Sequence, residues 1–322
     1  MQDFVNLFCI TIASHFSNLK RLPYFIECMD SLLNQTILIS VYISVSFDNN
    51  EIKEEFMKIL EKNGYLNHPF LHFLIQNNKT SQMYHYYNLL NTVKIKHHWI
   101  MFCDDDDSYK EDRVENIIKS ILFIQNNHIS CEQTFAGLYE TDCNKDHKEH
   151  RHEYWCYCIN KNIMERFYET LVEYPDIINN KCCDILFGEY MRRMNNNYIF
   201  GRLNMKLYNY RITENQDSVT GFIQSNRHAY NRNVPHPLIG EPSLPDYILD
   251  FNECLYKNID VYLHDVFLRT IVGCDIDSII KSEFPIDHDL MDFVDECHLN
   301  KIKELYHYLR MVCNMIYDQK LL

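Results

Sequence analysis

The chain contains little glycine, 7 residues among 322, and no apolar run that approaches the roughly 20 residues of a membrane-spanning helix. Its first residues, MQDF, carry no basic segment ahead of an apolar run, which a secretory signal peptide would need. A Gly-, Arg- or Lys-rich phosphate loop near the first apolar segment is also missing, as are internal repeats. These absences favour a globular protein of the cytoplasm with no transmembrane segment.

Regularly spaced cysteines are missing too, although the chain has 13 cysteines. No Cys-x-x-Cys occurs, and the pairs Cys156/Cys158 and Cys182/Cys183 are too closely spaced for a zinc ribbon. We therefore predict reduced, mostly buried thiols rather than a disulfide framework, as expected in a cytosolic setting.

Basic residues are outnumbered, with 31 Lys and Arg against 45 Asp and Glu and a formal net charge of -14. A chain this acidic is not expected to bind nucleic acid through phosphate contacts. Any phosphate group that it does bind should arrive with a metal ion. Apolar residues make up 46% of the chain, which is ample for the core of a large domain.

The most informative stretch is an apolar segment, residues 99–103, that ends abruptly in four aspartates at 104–107. A short apolar run bounded by a polar turn is typical of a buried strand in a parallel sheet. Open α/β sheets bind ligands where such strands end. Four adjacent carboxylates need a positive partner, and Mg²⁺ or Mn²⁺ carrying phosphates would supply it. A solvated acidic turn is the alternative, and the buried strand before it argues for the metal site.

The first 110 residues alternate between the two periodicities of strands and helices. Strands are predicted at 5–13, 39–47, 70–75 and 99–103, and helices from Pro23 onward, at 52–63 and at 82–93. This alternation predicts a parallel, doubly wound sheet. The chain from 14 to 18 is predicted as a loop.

The second half is less regular. Helices are predicted at 113–125, 162–172 and 184–194, and strands at 135–139, 154–159 and 198–210, the last as one strand or a pair. Residues 142–153 form a polar, His-rich loop. Residues 222–246 form an irregular crossing, and the pattern from 247 to 322 is helical.

Five segments, in order, are similar to motifs of one family. They are CITIASH (9–15), SLLNQT (31–36), SVSFD (44–48), FCDDDD (102–107) and LYNYRI (207–212), the last followed by SVT (218–220). Together they resemble nucleotide-sugar glycosyltransferases of the GT-A fold, in the broad GT2-like group. Ala13-Ser14 and Phe47-Asp48-Asn49-Asn50 depart from the family pattern beside the base, which leaves the nucleotide open. The composition, rich in Ile, Asn, Lys and Tyr, resembles that of AT-rich genomes, including giant viruses.

The resemblance implies an α/β, GT-A-like, doubly wound and mostly parallel sheet flanked by helices, with a helical C-terminal appendage. Residues 1–221 would form the transferase domain, with a nucleotide-binding half (1–110) and an acceptor half (111–221). Residues 222–246 and 247–322 would follow as the crossing segment and the helical region. That region could cover the site, form a homodimer or bind a partner.

The resemblance also implies a donor site for a UDP- or GDP-sugar. Asp106, with Asp104, would bind Mn²⁺ or Mg²⁺, and Asp104 and Asp105 would contact the nucleotide. Asp107 would cap the next turn or act in the site. The remaining nucleotide-sugar-binding candidates are Ala13, Ser14, His15, Asp48, Lys79, Gln82, His85 and Arg211, with Lys206 as a second basic residue; Arg211 could instead be structural.

An inverting transfer needs a base that deprotonates the acceptor hydroxyl. By resemblance this is Asp184, whose pKa the two preceding cysteines should raise through partial burial. A plain helix N-cap is the alternative for Asp184, and Glu189 is the lesser candidate for the base.

The His-rich loop contains His147, His150 and His152 with Asp146 and Glu149. Its spacing fits no closed zinc site, so a mobile loop over the acceptor pocket is favoured over a metal centre. Tyr154, Trp155 and Tyr157 follow, and they could stack on sugars or pack in the core. As alternate strand residues, Trp155 and the two tyrosines should not share one face.

The interpretation is therefore a metal-dependent glycosyltransferase that moves a sugar to an acceptor hydroxyl of a glycan, protein or small molecule. A degenerate, non-catalytic carbohydrate- or nucleotide-binding module is the first alternative. A nucleotidyltransferase is the second, and the missing phosphate loop counts against it.

Overall fold

A computed structural model describes residues 2–92, 95–127, 133–143, 145–211, 259–283 and 296–317. The chain divides into two compact units, Met1–Arg211 and Ile212–Leu322. The predicted boundary at 221 and the crossing at 222–246 lie outside the described residues.

The first unit is built on four parallel strands made from the apolar, β-branched segments of the first half. They are β1 (Phe8–Phe16), β2 (Ser40–Phe47), β3 (Leu71–Ile75) and β4 (Trp99–Asp104), in the order β3-β2-β1-β4. Residues 99–103 of β4 are each at most 3% exposed, because helices cover both faces of the sheet. The predicted parallel half of the sheet is confirmed.

The sheet continues to seven strands through the second half of the unit. After the short β5 (Ser108–Tyr109) come β6 (Thr134–Glu140), β7 (Tyr157–Asn160) and β8 (Tyr198–Leu203), in the spatial order β4-β7-β6-β8. Only β7 runs antiparallel to its neighbours. A bulge occurs beside Gly137, where a Cβ atom would lie 2.3 Å from the Cys158 carbonyl oxygen, so only glycine fits. A separate ribbon pairs β5 with β9 (Tyr208–Asn209).

Eight helices of this unit are described. They are α1 (Gln2–Val5), α2 (Leu22–Leu33), α3 (Asn50–Lys62), α4 (Gln82–Thr92), α5 (Arg113–Asn127), α6 (Lys161–Leu171), α7 (Pro175–Ile178) and α8 (Cys183–Arg193). Pro23 lies in the first turn of α2, where a proline costs no hydrogen bond. The Asn49 side chain caps α3 by accepting from the Ile52 N–H at 2.9 Å, and Gly64 follows that helix with φ 77°.

A mostly parallel sheet flanked by helices is the architecture that was predicted, and the α/β fold class is confirmed. Two local predictions were wrong. Residues 14–16 continue β1 instead of forming a loop, because their backbone pairs with β2 up to Phe47. Residues 154–156 form a 3-10 turn rather than a strand, so the argument from alternating faces does not apply to Trp155. Within 198–210, the two strands belong to different sheets, and α7 was not predicted.

The second unit is helical wherever it is described, as the pattern predicted. Its helices are α9 (Ile259–Ile271), α10 (Ile276–Glu283) and α11 (Glu296–Ile316). On α11, Ile302, Leu309 and Ile316 recur at seven-residue spacing and are buried. The Tyr317 hydroxyl donates to the Ile271 carbonyl at 2.9 Å and so ties this segment to α9. Among the described residues, no helix is long and apolar enough to cross a membrane.

Candidate active site

The carboxyl ends of β1, β2 and β4 meet at one edge of the sheet. Ala13 is in register with both Asp104 and Ser44, and Phe16 is in register with Phe47. The pairing brings together Ser14 and His15 from β1, Asp48 after β2, and the four aspartates after β4. The strand pairing therefore places polar residues from three strand ends at one edge of the sheet. Open α/β sheets bind ligands at this kind of edge.

Asp104 has partners on two other elements. Its Oδ1 atom accepts from Gln82 Nε2 at 3.0 Å and from the Tyr154 hydroxyl. Its backbone N–H donates to the Tyr208 hydroxyl at 2.9 Å. Burial, followed by the charge of Asp107, raises the pKa of the Asp104 carboxyl well above its usual value. Asp104 is thus held in a fixed position by its hydrogen bonds, and its surroundings disfavour the negative charge of its carboxylate.

Asp105 is buried and already neutralised by the protein. The Ser14 hydroxyl donates to its Oδ2 at 2.5 Å, and Arg21 Nη2 lies 2.5 Å from its Oδ1. Burial raises the pKa of Asp105, and the charge of Arg21 opposes that increase. The same Arg21 atom lies 3.2 Å from Oδ2 of Asp106. Arg21 therefore supplies one positive charge to two of the four aspartates.

Asp107 has structural partners. Its Oδ2 accepts from the Tyr208 hydroxyl at 2.8 Å and its Oδ1 from the Arg211 backbone N–H at 2.6 Å. Burial raises the pKa of Asp107 to about 6. These contacts attach β9 to the acidic turn, so Asp107 has a structural role, but its partners lie on β9 and at Arg211 and not in the next turn that it was predicted to cap.

Asp106 is the aspartate best placed to bind a cation. Its side chain is 27% exposed, and within the described chain its carboxylate pairs with Arg21 and nothing else. No three His, Cys, Asp or Glu side chains in the described ranges are grouped to hold a metal ion. Mg²⁺-type sites use one or two carboxylates, with water and substrate phosphates completing the shell. Asp106 with Asp104 fits such a site, and a closed protein cage does not.

The segment after the aspartates is held by the SLLNQT stretch. Ser31 Oγ accepts from the Tyr109 N–H at 3.2 Å. Gln35 donates to the Lys110 carbonyl at 2.9 Å and accepts from the Val114 N–H at 3.1 Å. The SLLNQT stretch therefore contributes to the site by fixing the backbone that follows the four aspartates.

A second polar cluster lies at the ends of β1 and β2. His15 Nε2 is 3.0 Å from Asp48 Oδ1, and Lys79 Nζ is 3.2 Å from the same oxygen. Hydrogen bonds and the charge of Lys79 lower the pKa of Asp48, and burial lowers that of His15. A carboxylate can only accept, so His15 donates through Nε2, and its Nδ1 accepts from Ser46 Oγ at 2.8 Å.

The chain of hydrogen bonds continues inward to His85. Its Nε2 lies 3.0 Å from Ser46 Oγ and its Nδ1 lies 2.8 Å from Ser44 Oγ, which also accepts from Gln76 at 2.8 Å. Burial lowers the pKa of His85 to about 3. Because Ser46 gives its proton to His15, His85 must donate through Nε2. His85 was predicted to face the nucleotide, but it is 1% exposed and supports the cluster from below.

The remaining basic candidates are positioned differently. Arg211 Nε donates to the Asp106 carbonyl at 2.8 Å, and its Nη2 pairs with Glu27 at 2.5 Å. The structure thus brings Arg211 to the acidic turn but satisfies it with protein groups. Lys206 is exposed, and Ala13 is a buried β1 residue.

Asp184 lies in the first turn of α8 and is partly buried. The helix N-cap is Cys182, so the N-cap alternative for Asp184 was wrong. Burial, followed by the charge of Glu153, raises the pKa of Asp184 to about 7. Glu189 is 2% exposed and pairs with Arg192 at 2.6 Å and Arg193 at 2.7 Å, which leaves it no role as a base.

The His-rich loop is anchored by packing. His147 and His152 are buried, and each ring lies 5.1 Å from the Tyr139 ring. Burial lowers the pKa of His147 to about 4. These two rings belong to the packing around β6, and His150 alone of the three is exposed.

Sequence reasoning missed Arg21, Arg113 and Tyr208. Arg113 is 0% exposed; its Nε donates to Glu140 at 2.8 Å and its Nη2 to the Trp155 carbonyl at 2.8 Å. Arg113 lies four residues before Ile117 and so shares the apolar face of α5. An arginine on an apolar helix face is a sequence signal from which its burial could have been predicted. Arg21 and Tyr208 reach Asp105 and Asp107 from 84 and 101 residues away, and local patterns carry no such signal.

No protein-family model matches the chain, and no curated protein matches it. The solved structures that are similar to the chain include the following two. The crystal structure of S. aureus TarS is 14% identical, with 96% of this chain and 54% of that chain covered and a TM-score of 0.45. The mannosyltransferase PcManGT from Pyrobaculum calidifontis, in complex with GDP-Man and Mn²⁺, is 10% identical, with 95% and 86% covered and a TM-score of 0.43. The chain spans about half the length of TarS. Likenesses this distant do not establish a family, so the function must be argued from the site.

Proposed function

We propose that the protein is a metal-dependent glycosyltransferase that transfers a sugar from a nucleoside diphosphate sugar, UDP- or GDP-linked, to an acceptor hydroxyl. The observation that carries the proposal is the edge of the sheet. There the partly exposed Asp106 lies beside the fixed Asp104, while His15 lies on the neighbouring strand β1 and Asp48 follows β2, the next strand along. One part of this edge suits a cation with phosphates, and the other suits a hydrogen-bonded nucleoside.

The donor half of the site follows from these contacts. Asp106, with Asp104, would hold Mn²⁺ or Mg²⁺, which would stabilise the negative charge on the departing diphosphate. Asp48 offers a carboxylate acceptor for the base or ribose, His15 holds Asp48 in place by donating to its Oδ1, and Ser14 keeps Asp105 in place. Gln82 contacts Asp104 and Lys79 contacts Asp48, and both side chains suit the sugar or phosphates.

The acceptor half depends on Asp184. A general base works best with a pKa near the working pH, and the pKa of about 7 meets that condition. Glu153, whose charge helps to raise this pKa, directly precedes Tyr154 in the chain. The Tyr154 hydroxyl donates a hydrogen bond to Asp104, so the two halves of the site are connected here. Asp184 would take the proton of the acceptor hydroxyl as it attacks, and a single displacement of this kind inverts the anomeric centre.

The experiment is thermal unfolding with UDP, GDP and their sugars, each with and without Mn²⁺. A ligand that binds only the native state raises the midpoint by mass action. We expect a metal-dependent increase with one nucleotide in the wild-type protein and in Asp142→Ala, an exposed aspartate outside the site. The increase should be lost in Asp106→Ala. No increase with any nucleotide would contradict the proposal.

A second candidate is a non-catalytic module, and Arg21 favours it. Arg21 already supplies a positive charge next to Asp105 and Asp106 without a metal. Such a module would bind a nucleotide sugar and release none of its sugar. Slow donor hydrolysis without acceptor, dependent on Mn²⁺ and lost in Asp106→Ala, separates the enzyme from the module.

A further inference from the structure

Three aromatic rings stack next to the acidic turn. The Trp155 ring lies 4.2 Å from Tyr208 at an interplanar angle of 15°, and 5.5 Å from Tyr210 at 12°. We call Tyr208, Trp155 and Tyr210 the aromatic stack. Tyr208 is 1% exposed, whereas Tyr210 is 52% exposed. Core packing explains the inner ring and leaves the outer ring open to solvent.

The inner part of the stack is fixed by Arg113. Its guanidinium carbon lies 4.0 Å from the centre of the Tyr109 ring and 5.0 Å from that of Tyr208. Its Nη2 also holds the Trp155 carbonyl, and its Nε pairs with the buried Glu140. A buried ion pair held on several sides is rigid, so the aromatic surface is positioned before any ligand arrives.

The stack is joined to the acidic site at two points. Tyr208 donates to Asp107, and Tyr154, the residue before Trp155, donates to Asp104. Burial raises the pKa of the Tyr210 hydroxyl, and the charges of Asp107, Asp104 and Glu153 raise it further. Glu153 also raises the pKa of Asp184. The 3-10 turn that contains Trp155 packs against α8, and Asp184 lies in the first turn of that helix, so the aromatic stack lies on the acceptor side of the proposed reaction.

We propose that the exposed part of the aromatic stack, Tyr210 with Trp155, binds a pyranose ring of a neutral sugar acceptor. This inference rests on the proposed function and adds the acceptor class to it. The apolar C–H face of a pyranose packs well on an aromatic face, and a preformed aromatic surface loses little conformational entropy on binding. The carboxylates around Tyr210 repel anions, so uronic and sialic acids are disfavoured at this position.

The test uses the fluorescence of Trp155, since the chain has two tryptophans and Trp99 is buried at 3% exposure. The full chain is titrated with methyl β-glucopyranoside, methyl β-galactopyranoside and methyl α-mannopyranoside, with and without UDP or GDP and Mn²⁺. Methyl β-glucuronide serves as the anionic comparison. We expect a saturable change with at least one neutral glycoside, weaker binding of the glucuronide, and no change in Trp155→Phe.

The variants separate stacking from other effects. Tyr210→Ala should weaken binding about tenfold, and Tyr210→Phe should keep most of it, because stacking does not need the hydroxyl. Phe123→Ala, which removes an exposed aromatic ring on α5, should leave binding unchanged. Equal affinity in Tyr210→Ala and wild type, or no saturable response in the wild-type protein, would overturn the proposal. The readout needs no turnover, so a failed nucleotide titration would refute the donor assignment and leave this result intact.

Discussion

The Arg21 guanidinium lies 2.5 Å from Asp105 and 3.2 Å from Asp106, so one arginine shares its single positive charge between two consecutive aspartates. The charge of Asp105 in turn raises the pKa of Arg21. Three of the four carboxylates have fixed uncharged or positive partners, and Asp106 shares its partner with Asp105. A run of aspartates at a strand end is thus tolerated because the fold surrounds it with donors.

Arg21→Met should destabilise the protein by about 2 kcal/mol at neutral pH, because the buried Asp105 carboxylate loses its counter-ion. Urea unfolding measures the change. Mn²⁺ should restore stability more in this variant than in the wild type, since the metal would replace the missing charge. Arg21→Lys keeps the positive charge and should therefore lose less stability than Arg21→Met. An unchanged midpoint in Arg21→Met would mean that the pair contributes nothing to folding.

Tyr208→Phe should cost about 1–3 kcal/mol, because the Asp104 N–H and Oδ2 of Asp107 each lose the Tyr208 hydroxyl as a hydrogen-bond partner. Tyr157→Phe is the matched control. Tyr157 is 0% exposed, and its hydroxyl has no hydrogen-bond partner among the described residues. Chemical denaturation of both variants gives the comparison. Equal losses would show that the Tyr208 hydroxyl is not a connection between β9 and the acidic turn.

The parts of the fold that were predictable are those with a local signal. Strand β4 was predicted within one residue because its apolar run ends in charge, and the parallel order followed from alternating periodicities. Ser14 and His15 were assigned to a loop because they are polar. They stay in β1 because Asp105 and Ser46 satisfy their side chains, and those partners are 91 and 31 residues away.

The sequence was sufficient to predict which strand ends form the site. It was not sufficient to predict which side chains contact one another there. Asp104 and Asp106 differ in sequence only by position, yet Tyr154 and Gln82 engage the first and leave the second exposed. The 3-10 turn at 154–156 aims Tyr154 at Asp104, and its YWC sequence resembles a strand. Such differences depend on tertiary neighbours, which periodicity does not encode.

His85→Gln should flatten the acid side of the stability profile. The pKa of His85 is about 3 in the folded protein, against an ordinary value of 6.5, so the unfolded chain binds more protons between these values. Folding stability therefore falls as pH decreases from 6.5, by at most about 1.4 kcal/mol per pH unit from this group. Glutamine keeps a donor and an acceptor but cannot be protonated there.

The measurement is urea unfolding of both proteins from pH 7 to pH 4, and the quantity of interest is the difference between their slopes. His147→Gln should act in the same direction over a slightly narrower range, since the pKa of His147 is about 4. Parallel profiles for wild type and His85→Gln would argue that His85 is protonated equally in both states.

Asp184→Asn should have opposite effects on activity and stability. The pKa of Asp184 is raised from 3.8 to about 7, so the folded state binds more protons across that interval and stability falls as pH rises through it. Asparagine removes this cost, so the variant should unfold a few degrees higher at pH 8. Its nucleotide release with acceptor should fall about 100-fold or more, because the proton of the attacking hydroxyl has no base.

The wild-type rate should rise with pH up to about 7 and level off above it, because only the ionised carboxylate accepts the proton. Asp176→Asn, an exposed change on α7, should keep both the rate and its pH dependence. Nucleotide binding measured by thermal unfolding should be the same in all three proteins, since Asp184 acts after the donor is bound. A stabilised Asp184→Asn that still turns over at the wild-type rate would assign the base to another residue and leave the raised pKa as a consequence of burial alone.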